Sequence, residues 1–241
     1  MAAAIQAYHL AYQPIPKVAC TSLKQAWFGL EFGAPYAKAH PRVRRARGSV
    51  HRIYPSRRFK AREFARLADY WTFAVVRDPA QRVLSAYSSK VLKRDMLTRH
   101  AAERRGAMGR VRSALRGDRR AARDLPLRPA LDQFVLRLDE YRAAFGVIRD
   151  HTQPAGYYLG TDLSVFDEVF AIEDMPRLEA EISARSGKPF HVPERNKSPD
   201  ALKVTVSDLS PEAFDSLMDR LAPEYELLAR FYTPPSRTPQ T

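Results

Sequence analysis

The chain has 241 residues, 45% of them hydrophobic, with 40 Lys and Arg against 27 Asp and Glu, a formal charge of +13. This length suits one ordinary α/β domain, and the apolar content excludes disorder over most of it. The charge predicts attraction for anionic ligands or polymers without choosing among them, and the skew to Arg, with only nine Lys, follows as readily from genomic base composition as from phosphate or sulfate binding.

Tyr8 to Tyr12 reads as a short strand that runs into Gln13-Pro14-Ile15-Pro16, where the prolines exclude helix. Leu23, Ala26, Trp27 and Leu30 then recur at helical spacing, with Thr21 and Ser22 as N-cap candidates. A second unit of the same kind starts at Tyr70 to Val76, a continuous apolar run of the type found in a parallel strand buried on both faces. Arg77 ends that strand. Asp78 and Pro79 open a helix whose apolar stripe is Val83, Leu84, Tyr87 and Val91.

From Lys93 to Arg123 eleven basic residues stand among three acidic ones, which reads as a helical or mobile insertion at about 93–124. Its solvated helix would be a bland surface feature, and a surface for an anionic acceptor is the alternative. Helix resumes with Leu131, Phe134, Leu138, Tyr141 and Phe145 on one face, and Tyr157 to Leu159 and Val169 to Ile172 read as further strands, the latter ended by Glu173. Met175, Leu178 and Ile182 face inward on a helix that stops near Gly187-Lys188-Pro189. A final helix opens at Ser210-Pro211-Glu212, presents Phe214, Leu217, Met218 and Leu221, and is interrupted or restarted at Pro223; the tail from about 233 is read as frayed.

Strand-loop-helix units in series predict an α/β fold in three layers, a central, mainly parallel sheet flanked by helices, within a single domain over residues 1–241. The lone cysteine, Cys20, excludes an intramolecular disulfide and a thiolate zinc cage, and points to a reducing, cytoplasmic setting. No basic leader precedes an apolar run at the N-terminus, and nowhere do about 18 apolar residues stand in succession, so no integral membrane segment is expected.

Two loops carry the chemistry. Pro16 to Lys24 joins a strand to a helix, where open amides and the positive helix end attract a phosphate, and Lys17 places a point charge at the loop mouth. It contains no Walker A glycines, since no glycine lies between Met1 and Phe28. In the second, Arg77 leaves the buried strand with its planar fork directed to an oxyanion, and Ser85 lies two turns into the adjoining helix. Arg82 is read as pairing internally. Ligands bind outside the carboxyl ends of strands in open parallel sheets, so both loops can face one nucleotide.

Ile15 to Lys24 resembles the 5′-phosphosulfate loop of the carbohydrate sulfotransferase family, and Val76 to Tyr87 resembles that family's 3′-phosphate motif, an Arg at a strand end and a Ser eight residues on. Weaker similarity extends from Tyr8 to about Phe231, through Arg149-Asp150-His151-Thr152-Gln153-Pro154, Val169 to Glu173, and Arg195-Asn196-Lys197-Ser198. The resemblance implies a P-loop-like phosphosulfate-binding loop and transfer of a sulfuryl group from 3′-phosphoadenosine 5′-phosphosulfate (PAPS) to a hydroxyl of a sugar or anionic glycan, leaving adenosine 3′,5′-bisphosphate. It assigns the 5′ end of the cofactor to Lys17, Val18, Ala19, Cys20, Thr21 and Ser22, and the 3′-phosphate to Arg77 and Ser85. The resemblance also implies that Lys17 assists departure of the phosphate.

Proton removal from the acceptor requires a base, for which His is best tuned near neutrality. His51, at the position where family members carry a catalytic histidine, is the first candidate, His151 the second and Glu173 the third. No metal is expected, because no histidine pair has zinc-site spacing. Two rival classes remain. A nucleotide or small-molecule kinase on a related fold would need the missing glycines, and a basic nucleic-acid-binding protein without catalysis leaves both loops unexplained.

Overall fold

The computed structural model describes residues 2–105, 124–193 and 202–237. In chain order these form β1 (Ala3–Ile5), β2 (Leu10–Gln13), α1 (Cys20–Phe32), α2 (Pro41–Arg45), α3 (Val50–Ile53), α4 (Ala61–Phe64) and β3 (Trp71–Val76). There follow α5 (Pro79–Ala86), α6 (Met96–Arg105), α7 (Leu131–Leu136), α8 (Leu138–Ala144), α9 (Gly146–Thr152) and α10 (Ala155–Leu159). β4 (Glu168–Ala171), α11 (Met175–Ser186) and α12 (Pro211–Leu227) complete the set. The chain divides into two compact units, one of Met1–Arg77 with Pro154–Lys197, the other of Asp78–Gln153 with Ser198–Thr241.

The first unit holds the sheet, ordered β1-β2-β3-β4. The expected parallel arrangement is present: β2 pairs β3 with Leu10 opposite Trp71, and β3 pairs β4 with Val76 opposite Ala171. Its antiparallel edge, β1, was not legible, because three small or aliphatic residues carry no alternation; a 3-10 turn over Gln6–Tyr8, closed by His9 in the left-handed region (φ 49°), folds it onto β2. Hence the strand begins at Leu10, and Tyr8 and His9 belong to the turn. The core is aromatic. Tyr12 stacks on Phe73 at 5.1 Å between ring centroids, Trp27 of α1 meets Phe73 edge-on at 5.6 Å, and the buried Leu178 and Ile182 of α11 add the aliphatic part. The helices of this unit make the fold α/β, a mainly parallel sheet flanked by helices.

Tyr157 to Leu159 are helical rather than extended. Pro154 offers its carbonyl to Tyr157 N at 3.0 Å to start a single turn, and Gly160, at φ 81°, ends it. Glycine is required there, since a Cβ would lie 2.9 Å from the Phe59 ring. The stretch buries Tyr158 and Leu159 and leaves Tyr157 39% exposed, so its β-like composition reflects burial alone.

The second unit is helical. Val83, Leu84, Tyr87 and Val91 pack with Phe134, Leu138, Tyr141 and Phe145 and with Phe214, Leu217 and Leu221, so the stripes read from sequence meet in one cluster. The 131–145 stretch is two helices broken at Arg137, and α12 continues through Pro223 without a break. Buried Arg82 pairs with buried Glu224, through Nε to Oε1 and Nη2 to Oε2 at 3.2 Å each, and Nη2 donates to the Gln153 carbonyl at 2.6 Å. Of the basic insertion, 106–123 lies outside the described residues, and 96–105 is helical. The last four residues of the tail, and the Arg195-Asn196-Lys197-Ser198 loop, are likewise outside them.

Candidate active site

The carboxyl ends of the three parallel strands, Gln13, Val76 and Ala171, lie on one edge of the sheet, and each is followed by a residue singled out from the sequence. After Gln13 the chain enters the Pro14–Ala19 loop. Ile15 and Val18 are buried and pin it to the core, Lys17, Cys20 and Thr21 stay half-buried, and Ser22 is buried.

Two non-glycine residues here occupy the left-handed region, Lys17 at φ 70° and Ala19 at φ 42°. Each costs roughly 1–2 kcal/mol relative to right-handed backbone. Such strain persists where its surroundings over-determine it, and it clusters at ligand-binding sites. Left-handed Ala19 followed by right-handed Cys20 is the alternation of backbone hand in which successive N–H groups can converge on an anion.

Ala19 is the N-cap of α1, and no side chain caps the helix. The first intrahelical bond runs from Leu23 N to Ala19 O at 3.0 Å, so the amides of Cys20, Thr21 and Ser22 lack intrahelical acceptors at the positive end of a thirteen-residue helix. Thr21 and Ser22, expected as caps, instead lie within the first turn. A cap must precede the helix in extended backbone; here the left-handed Ala19 holds that position, and Thr21 is released for other partners.

Arg77 follows Val76 directly and donates from Nη1 to the Lys17 carbonyl at 3.4 Å, which brings the second motif's arginine onto the first motif's loop. Glu173 falls in a 3-10 turn, Ile172–Asp174, just beyond the β4 terminus, and is exposed. His51, on α3, places Nε2 3.1 Å from Thr21 Oγ1 and Nδ1 3.3 Å from Lys24 Nζ. Lys24 is wholly buried, donates to Ser56 Oγ at 2.9 Å, and has its pKa lowered by burial, an effect opposed by the neighbouring Cys20. Sequence reasoning missed Lys24 and Ser56. An i, i+3 step from Thr21 puts a lysine on the helix wall below the loop, but a lysine reads as solvent-facing by default.

In the second unit, Ser85 is half-buried on α5, and Asp78 caps that helix by accepting from Gln81 N at 2.8 Å. His151 on α9 has Nδ1 2.7 Å from the Val147 carbonyl, which makes Nδ1 the protonated nitrogen and Nε2 the basic one. A cavity of about 310 Å³ opens at the amino ends of β3 and β4, away from this edge, lined by Phe59, Phe64, Tyr70, Thr72 and Asp167 among others. Its walls supply no cation for a phosphate.

A sulfotransferase family model matches residues 4–229. The chain belongs to the sulfotransferase family. Its members are transferases of sulfuryl groups to acceptors, and the match takes in both motifs and the strand edge that carries them. No curated protein and no solved structure matches the chain significantly. Among the described residues, no helix of this sulfotransferase is long and apolar enough to cross a membrane, and no cluster of three or more His, Cys, Asp or Glu could hold a metal.

One further feature escaped the sequence reading, which had placed the basic surface at 93–123. From Lys38 to Arg66, eleven Lys and Arg stand against the single acid Glu63, and all eleven are exposed. This segment carries His51 and Ser56, so it borders the loop.

Proposed function

We propose that this chain moves a sulfuryl group from PAPS to an acceptor hydroxyl of a sugar or anionic glycan. The observation that carries the reading is the joining of Arg77 to the Lys17 carbonyl beside an uncapped helix N-terminus, two anion-binding elements on one strand edge. The donor supplies an activated sulfuryl group on a phosphate leaving group. Amides of Cys20 to Ser22 and the Thr21 and Ser22 hydroxyls hold the 5′-phosphate, and the Lys17 ammonium stabilises the charge that develops as it departs. Arg77 takes the 3′-phosphate through charge-assisted hydrogen bonds. Ser85 receives the same role from the sequence motif alone.

The proton of the acceptor goes to one of His51, His151 or Glu173. Glu173 is exposed beyond β4, and His151 keeps Nε2 as its basic nitrogen. The exposed cations of 38–66 support an anionic acceptor, since a dense positive field raises the local concentration of such a substrate. The single cysteine supports a cytoplasmic, reducing setting.

The test is a radiolabelled-sulfate transfer assay across glycan, phenol and peptide acceptors, together with calorimetric binding of adenosine 3′,5′-bisphosphate and ATP. Transfer to a glycan with preferential binding of the bisphosphate is expected. Preferential ATP binding would move the chain to the kinase class, and salt-dependent nucleic-acid binding without bisphosphate binding would make it a nucleic-acid-binding protein.

A further inference from the structure

Lys24 is a buried cation that none of the roles above uses. It is 0% exposed, on the wall of α1 that faces α3, and its partners there are neutral: Ser56 Oγ at 2.9 Å and His51 Nδ1 at 3.3 Å. Burying a lysine is costly unless its N–H groups are bonded. Its location directly beneath the phosphate-holding turn calls for an account in terms of what those bonds do.

An ammonium has three N–H donors and no lone pair, so the nitrogen of His51 that faces it must be an acceptor. A neutral imidazole has one N–H and one lone pair. With the lone pair on Nδ1 directed to Lys24, the proton belongs on Nε2, and Nε2 lies 3.1 Å from Thr21 Oγ1. Thr21 therefore accepts from His51, and the single hydroxyl proton of Thr21 is turned to a different acceptor. At the N-terminal turn of α1, that acceptor is whatever anion the loop holds.

We infer that Lys24 is a positioning residue that fixes the His51 ring as the Nε2–H tautomer, so that His51 orients the Thr21 hydroxyl toward the bound anion. The polarity runs one way: Lys24 donates to His51, His51 to Thr21, and Thr21 to the ligand. Donors further along such a chain are strengthened by those behind them. In this resting arrangement the lone pair of His51 is covered by Lys24. Any service as a base then requires the Lys24 bond to break first.

The inference rests on the reading of the loop as a phosphate cradle, but its first test does not. Long-range ¹⁵N–¹H spectra of the ¹⁵N-histidine-labelled full-length chain, with His51 assigned by the signals missing in His51→Gln, report the tautomer without ligand. A protonated Nε2 and an unprotonated Nδ1 near pH 7.5 are expected. A protonated Nδ1 overturns the proposal, because Lys24 would then be accepting as a neutral amine.

The second test is a binding cycle with adenosine 3′,5′-bisphosphate. Lys24→Met and Thr21→Val are each expected to weaken binding about three- to tenfold, the loss of one hydrogen bond, and the double variant no further than either alone. Additive losses overturn the relay. Lys24→Gln, which keeps a donor, is expected to recover most of the affinity, and should Lys24→Met fail to fold, the wild-type spectrum and the Thr21→Val/Lys24→Gln pair still decide the matter. If the wild type does not bind the bisphosphate at all, the sulfotransferase reading of the loop fails, whereas the tautomer result stands or falls by itself.

Discussion

Arg77 and Arg82 belong to the same short motif, yet they sit in environments that give them opposite work. Arg77 directly follows β3, half-buried, and reaches the backbone of the strained Pro14–Ala19 loop; Arg82 is 1% exposed on α5 and is bound by Glu224 and the Gln153 carbonyl. The first unit thus keeps charge at an edge where the ladder stops and backbone amides are open. The second neutralises charge inside a helical core, where an unpaired ion would be costly. One buried nitrogen, Arg82 Nη1, has no partner among the described residues, so even the internal pair is not fully satisfied.

The contrast predicts which variants lose stability and which lose function. Arg82→Ala leaves Glu224 buried without its partner and is expected to destabilise the protein by about 3–5 kcal/mol in urea unfolding, while Arg82→Leu combined with Glu224→Leu recovers most of the loss. An Arg82→Ala protein as stable as wild type would erase the distinction. Lys17→Ala should lower kcat by about 10²- to 10³-fold, as removal of one preorganised stabiliser does, with little change in melting temperature.

Arg77→Ala is expected to weaken bisphosphate binding about ten- to a hundredfold, the range for a charge-assisted hydrogen bond, again with little effect on folding. Ala19→Gly relieves a left-handed φ and is expected to stabilise the protein by up to about 1 kcal/mol in the same unfolding assay, the relieved strain outweighing the added entropy of a glycine in the unfolded chain. The smallest effect is on alkaline stability. Burial pushes the Tyr141 phenol, in the second unit, up to about 12. Its folded pKa lies above the unfolded value of about 10, so its contribution is whole below pH 10 and is lost as pH rises toward 12. Tyr141→Phe should flatten that part of the stability profile, read from urea midpoints at pH 9 and 11.

Legibility differed along the chain for physical reasons. The buried run Trp71 to Val76 and the helix opened by Asp78 and Pro79 announced themselves, because a strand covered on both faces is continuously apolar and a capped helix start has its own residue types. The start of α1 did not. Its cap is Ala19, a residue type that signals nothing, in left-handed backbone directly after the buried Val18. The Tyr157 to Leu159 turn was misread because three residues are too few to show a period, and Pro154 and Gly160 decide it from outside.

By itself the sequence determined the α/β class, the strand-loop-helix order and the two motifs that mark the family, since each is written in local apolar patterning and in residue types with a fixed chemical capacity. Only the tertiary structure decided that Arg77 reaches the Lys17 loop, that Lys24 is buried under it, and that His51 stands between Lys24 and Thr21. Those facts depend on parallel strand pairing that brings residues distant along the chain to one edge of a sheet, and no local pattern encodes which side chains will meet there.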